Sequence, residues 1–406
     1  PTAQPTEGRL PELAEIRRNV IGRWEGTSRV NWRKGPVRPS APSQSVRREM
    51  PGTFLTFGVL LIVASVLSEL RWDQWWIRIW DFPRHQIAGL AIVLAGGLMW
   101  FGGGTPSTLL VVAALCGTAG YQGWRIFPHF PIARPEVVQA ERNEPSVPFS
   151  LLTANVLQEN RDADAFINVV RDYNPDVFLA IETDEWWDSA IRTLEADYPH
   201  IVSYPLDTTY GMILGSRLEL VQPRIRFLVD DDIPSIHSFV RLRNGALVWL
   251  QALHPDPPNP QYATETTERD AELLIAGREV KNHEGPAVII GDFNDVSWSP
   301  TTRLFRTVSG LVDPRVGRGF YNTFHADWPF LRWPVDHVYH STHFKLGRLE
   351  RGPHIGSDHF PMYAELELHP DAPLVQSEPS ATHDEKQKTT EKILDAHQTN
   401  NHRTVE

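Results

Sequence analysis

Residues 287–294 read Ala-Val-Ile-Ile-Gly-Asp-Phe-Asn, four apolar residues running straight into a glycine, a carboxylate and a carboxamide. A short unbroken apolar run bounded by turn formers is the pattern of a strand buried on both faces. Gly, Asp and Asn all favour turns, so the strand ends in a loop that carries Asp292 and Asn294. The pattern recurs along the chain. Phe149–Val156, Asp176–Ile181, Gly211–Ser216, Ser238–Leu242, Leu247–Leu253, Val335–His340 and Tyr363–Leu368 read as further strands. Ala163–Tyr173 and Thr264–Asn282 read as helices. Strands and helices in alternation predict an α/β domain over 148–370.

Polar side chains stand at the ends of these strands: Asn155 in Leu-Thr-Ala-Asn-Val, Glu182 in Phe-Leu-Ala-Ile-Glu-Thr, His254 in Gln-Ala-Leu-His-Pro, Asp336 in Pro-Val-Asp-His, and Asp358-His359 in Gly-Ser-Asp-His-Phe. In an α/β domain such ends gather at one rim. Carboxylates and carboxamides are hard oxygen donors suited to Mg²⁺, which keeps waters and binds substrate phosphate. Each motif alone has a plainer reading: Glu182 as a helix-start residue, Gly-Asp-Phe-Asn as a turn, His254 before proline as a structural histidine.

Taken in order, the motifs make residues 148–370 similar to the endonuclease/exonuclease/phosphatase superfamily, the deoxyribonuclease I-like group. The resemblance implies a four-layer α/β sandwich, two packed mixed β-sheets flanked by helices. It also implies a hydrolase of phosphoesters using Mg²⁺, with Mn²⁺ as a substitute. On that likeness Glu182, Asn155 and Asp358 belong to the metal shell, and Ile181 replaces a glutamine often found before the glutamate. Asp292 orients or activates water, Asn294, Asn155 and His254 hold the phosphate, and His254 is also a candidate acid for the leaving group. Asp336 positions His359, and the resemblance leaves open whether His359 takes the water's proton or stabilises the transition state. His325, His337, His354 and Tyr210 are less specific.

The rest of the 406 residues bears on where the site works. Residues 1–50 hold ten Lys+Arg against five Glu and no sustained apolar period, which predicts a basic, mostly disordered arm. Residues 51–124 predict a membrane region with three transmembrane helices at about 52–70, 86–103 and 107–124, broken at Gly102-Gly103-Gly104-Thr105-Pro106. Four tryptophans between the first two fit a headgroup belt. A buried helical hairpin of a soluble domain is the competing reading. The arm's charge would hold the N-terminus in the cytoplasm, making this an integral protein of the plasma (inner) membrane with its catalytic part on the extracytoplasmic side. Residues 125–147 read as a linker and 371–406 as a disordered polar tail. The lone Cys116 allows no internal disulfide.

Residues 148–370 carry 19 basic against 32 acidic side chains, the reverse of what a long polyanion recruits. Small membrane-anchored proteins of similar architecture imply an envelope precursor. The expected substrate is therefore a lipid-linked or small phosphoester, with a membrane-tethered nuclease as the alternative and a catalytically silent binding protein as the third. No obligate protein partner is expected. The aromatic stretch Phe324–Trp333 reads either as an apolar wall near the site or as core.

Overall fold

The protein is described here from a computed structural model that covers residues 44–70, 72–141, 145–257 and 265–403, with side chains within 52–399. The expected arm lies outside these residues up to position 43. Its last residues are helical, because helix α1 begins at Gln44.

Two sheets form the centre. In the first, the order is β10 (Phe344–Arg351), β11 (Met362–Leu368), β1 (Val147–Asn155), β2 (Val177–Ile181), β4 (Met212–Ser216) and β3 (His200–Tyr204). In the second it is β5 (Leu220–Phe227), β6 (Pro234–Arg241), β7 (Leu247–Leu253), β8 (Ala287–Asp292) and β9 (Asp336–His340). Each is mixed: β1 runs parallel to β2 and β7 parallel to β8, while the other pairs are antiparallel. Alternation along each strand sorts the side chains. Leu151 and Leu179 of one sheet meet Leu250, Val288 and Val338 of the other in the central core. Leu152, Ala154 and Phe178 turn outward onto α5 (Ala163–Tyr173) and, through Trp187, α6 (Glu185–Ile191). On the far side, Leu253 and Ile289 pack under α7 (Thr267–Lys281) and α8 (Pro300–Ser309). Helix, sheet, sheet, helix is the four-layer α/β arrangement expected. The helix starts are capped as the sequence allows: Asp162, Asp184 and Ser299 each accept a backbone N–H from the first turn.

Ahead of the sandwich, α1 (Gln44–Leu67), α3 (Arg84–Phe101) and α4 (Pro106–Ile126) pack on one another through Phe54, Leu94, Leu98 and Leu115. The α3–α4 turn uses Gly103 and Gly104, both at φ +68°. The expectation of three transmembrane helices needs correction: among the described residues no helix is long and apolar enough to cross a membrane. α3 has only 18 residues, about 27 Å at 1.5 Å each, and opens on Arg84 and His85. Both charge and length are committed inward. Buried Arg84 binds Asp81 at 2.6 Å, Gln122 at 2.8 Å and Glu69 at 3.2 Å, and Gln122 reaches Ser65 at 2.7 Å.

The stretch between α1 and α3, with α2 (Trp75–Arg78) and a 3-10 turn over Ile79–Asp81, packs against the sandwich. Trp298 Nε1 donates to the carbonyl of Asp81 at 2.7 Å. The expected linker is also packed, with Val137 fully buried in the central core and Glu136 paired to Arg306. Nor is the described tail disordered. α9 (Ala372–Val375) leads to α10 (His383–Arg403), whose Thr389, Lys392, Ile393 and Ala396 repeat at helical spacing toward α7. Its polar composition hid a narrow buried face. Lys392 Nζ, nearly buried, contacts Asp73 at 2.8 Å and Asp270 at 3.0 Å. Lys392→Met leaves Asp270 with Arg269, Thr301 and the more distant charge of Arg78, and the expected cost is about 2 kcal/mol, read from the midpoint of urea unfolding.

Candidate active site

Parallel pairing aligns the strand ends. Asn155 closes β1 opposite Ile181, Glu182 follows, Leu253 sits opposite Gly291, and His254 and Asp292 follow. Antiparallel register sets Asp292 beside Asp336. Two glycines make the close approaches possible. A Cβ at Gly211 would stand 1.8 Å from the Thr183 carbonyl oxygen, and one at Gly291 would stand 1.9 Å from that of Leu253. Glu182 and Asn294 themselves lie in the left-handed region, at φ 62° and 50°. Strain of this kind persists where the surroundings over-determine it, and here Thr183 N–H to Gly211 and Asn294 N–H to Asp292 Oδ1 do so.

The side chains then converge. Asn155 Nδ2 donates to Glu182 Oε1 at 2.7 Å and reaches Asp292 Oδ2 at 3.3 Å. Its oxygen accepts from Leu157 N–H at 3.0 Å, so in this orientation the amide aligns the carboxylates and ligation would require it to flip. His359 Nδ1 meets Asp336 Oδ2 at 2.8 Å, and Nε2 stands 3.7 Å from Asp292 Oδ2. Asn294 is held by the Pro255 carbonyl at 2.9 Å, while Arg269 donates to the Asn294 carbonyl at 2.9 Å.

Burial dominates the electrostatics. It opposes charge on His359, but Asp336, Asp292 and, further off, Asp358 outweigh it and hold the imidazolium up at about 10. Burial and then the Asp336 charge push Asp292 up to about 7, against His359 and the bonds from Asn294 and Asn155. Burial likewise raises Glu182, opposed by the Asn155 bond and His359 and reinforced by Asp358. His254 is the reverse case: burial and the nearby His359 charge lower it to about 3, so it is neutral.

Asp292, Asp336 and His359 are the one group among the described residues whose ligand atoms crowd within 4.8 Å of one another. The three are drawn together by the His359 hydrogen bond to Asp336 and by its approach to Asp292. The donors suited to a hard divalent ion are the carboxylates across the site, Glu182 with half-buried Asp358. Crowded together, half-buried Glu182 and buried Asp292 are both driven toward protonation, and a divalent charge is what would relieve that. The donor set fits the ion.

The structure thus gathers Asn155, Glu182, His254, Asp292, Asn294, Asp336, Asp358 and His359. The less specific residues separate. His337 is structural, bonded to the Asp295 carbonyl at 2.8 Å and set against Phe293. His354 pairs with Asp327 at the surface, and His325 lies near the same carboxylate. Tyr210 hydrogen-bonds Asp256 and stands beside the His254 ring. Supporting residues went unread in the sequence. Ser357 Oγ donates to the Asn155 carbonyl at 2.8 Å and accepts the His359 N–H at 3.0 Å, tying both halves together. Its place in Ser-Asp-His was the available signal. Phe324 covers the His359 ring at 4.9 Å, deciding for that residue in favour of a wall.

Residues 152–359, just over half of the chain, match the family described as Endonuclease/Exonuclease/phosphatase family. No curated protein matches. Solved structures that match include human nocturnin's catalytic domain with bound sulfate, 15% identical over 54% of this chain and 94% of that one, with a TM-score of 0.46. TDP2 of D. rerio, complexed with single-strand DNA product, is 14% identical over 54% of this chain and 98% of that one, with a TM-score of 0.45. An endonuclease/exonuclease/phosphatase of Bacteroides vulgatus is 18% identical over 55% of this chain and 99% of that one, with a TM-score of 0.45.

Proposed function

Since the chain belongs to the endonuclease/exonuclease/phosphatase family, whose members are generally phosphoester hydrolases that use a divalent metal, we propose that it hydrolyses a phosphoester by metal-assisted in-line attack of water. The observation that carries this reading is the meeting of Asn155–Glu182 with Asp336–His359 on either side of Asp292. Mg²⁺, or Mn²⁺, held at Glu182 with Asp358 beside it would supply positive charge to the phosphoryl oxygens.

The chain's own residues do the rest. Asp292, raised to about 7, is poised to accept the proton of the attacking water as its oxygen bonds to phosphorus. His359, held charged by Asp336, offers an N–H to the charge that develops on the phosphoryl group. Neutral His254, whose Nδ1 has no hydrogen-bond partner among the described residues, and Asn294 orient the phosphate. The ester oxygen departs with the bonding electrons and takes its proton from solvent.

The proposed substrate is a lipid-linked or small phosphorylated compound, met at a membrane. Support comes from the acidic balance of residues 148–370 and from Phe57, Leu60, Ile92, Val93, Trp100 and Leu110, all more than half exposed on α1, α3 and α4. Apolar surface of that extent marks a membrane or partner site. The test is the full chain incubated with vesicles carrying a phospholipid or a polyprenyl phosphate, and separately with plasmid DNA, each with Mg²⁺ and with EDTA. Co-flotation with the vesicles and Mg²⁺-dependent release from a lipid phosphate are expected. Plasmid nicking at physiological salt, with no release from lipid, would replace this reading with the nuclease.

A further inference from the structure

Next to His359 and Asn294 lies a cavity of 590 Å³ that the catalytic residues do not fill. That size falls in the range of roughly 300–1,000 Å³ typical of small-ligand pockets. One wall comes from the catalytic domain, where Phe324, Leu331 and Trp333 stand. The other comes from Trp75, Ile79 and Phe82, which lie in the stretch between α1 and α3, outside the residues matched by the family. We infer that this cavity receives the hydrocarbon chain of the phosphoester, so that the segment before the catalytic domain builds half of the substrate site and selects an amphiphilic ester. The inference rests on the proposed hydrolase reading.

Three observations carry it. The first is chemical. Among the described residues the lining is otherwise aliphatic or aromatic, and its polar side chains apart from the indole N–H groups are His359 and Asn294, which already belong to the phosphate end. A sugar or a base edge would find few partners beyond them, whereas a chain needs none. The second is the rigidity of the walls. Phe82 meets Trp333 edge to face at 5.8 Å, Trp333 stacks on Phe324 at 6.2 Å, and Gln86 Nε2 donates to the Phe330 carbonyl at 2.9 Å. Buried Arg78 anchors the α2 side through Asp73 and Asp81. The third is the mouth. Ile79 and Leu331 are each about half exposed at 48% and 47%, and Phe330 beside them is 87% exposed. Through the Gln86 contact this rim adjoins α3, whose outer face is apolar. A chain drawn from a bilayer would enter past Ile79, Leu331 and Phe330, and the bilayer is the source to which the geometry points.

Binding can be read without chemistry. The full-length protein in EDTA is titrated with butyl phosphate and with hexadecyl phosphate below its micellar concentration, following tryptophan fluorescence. Hexadecyl phosphate is expected to bind at least about tenfold more tightly, since each buried methylene contributes. Ile79→Trp, which plugs the cavity, and Trp333→Ala, which opens it, should each flatten that ratio. Equal affinity of the two esters for the wild type overturns the inference, as does a preference unchanged in both variants. So does displacement of the long ester by a single-stranded oligonucleotide, which would make the walls a base-stacking platform. If the chain preference stands but no ester is turned over with Mg²⁺, the cavity assignment survives and the hydrolase reading falls.

Discussion

Replacing Glu182 by Gln is expected to lower kcat/KM at saturating Mg²⁺ by roughly 10³-fold, about 4 kcal/mol, while the protein becomes slightly harder to unfold in EDTA. The two effects have one cause. Glu182 is half-buried, its carboxyl is raised by that burial, and Asp358 adds to the rise. A glutamine keeps the bond geometry to Asn155 and the left-handed backbone at φ 62°, but it carries no charge to desolvate. It also binds a hard divalent ion poorly. Mg²⁺ should therefore raise the melting temperature of the wild type by preferential binding to the folded state, and barely move that of the variant. Wild-type turnover at low Mg²⁺, or an equal Mg²⁺ effect on both melting curves, would remove Glu182 from the metal shell.

That trade between stability and function explains why the site was the most legible part of the sequence. Carboxylates at the ends of apolar strands are locally unfavourable, so Glu182, Asp292 and Asp336 stand out against Phe-Leu-Ala-Ile, Ala-Val-Ile-Ile and Pro-Val. Where pattern and packing agree, the elements match closely: α5 is Ala163–Tyr173 and β7 is Leu247–Leu253, as the periodicity predicts. β5 was not legible, because it is an edge strand with Pro223 within it and little burial, so neither face reads as apolar. β10 was blurred by the bulge around Gly347, which interrupts its alternation. α8 carries its signal in Ser299-Pro300, a cap followed by proline, but only a short apolar stripe follows.

The rest was illegible for a different reason. The tryptophans of residues 72–80 read as a membrane headgroup belt because nothing local says what they face. Trp75 and Trp80 line a cavity completed by residues about 250 positions later, and such contacts follow from topology alone. The same holds for Arg84. It stands just before the expected second span, yet it is buried against Asp81, Glu69 and Gln122. A buried, paired arginine and an arginine at a membrane edge have the same sequence signature.

The Asp336–His359 pair yields the other large effect. Asp336→Asn and His359→Ala should each reduce kcat by roughly 10²–10³-fold, and the double variant should be little worse than either, because each residue acts through the other. The pH profile separates this from a merely structural role. His359 is charged up to about 10, since Asp336 and Asp292 together outweigh the burial that opposes its charge. If the imidazolium is the working form, activity falls as pH rises through about 10. Asn at position 336 keeps an acceptor for Nδ1 but removes the first of the charges that favour the proton, so the alkaline limb moves to lower pH. Stability follows the same sign. A histidine raised in the folded state contributes fully below its ordinary value near 6.5 and loses that contribution as pH climbs through its folded value. The Asn variant should therefore begin to lose stability at a lower alkaline pH than the wild type. Additive losses in the double variant, or an alkaline limb that stays in place in Asp336→Asn, would mean that the two residues do not act as a unit.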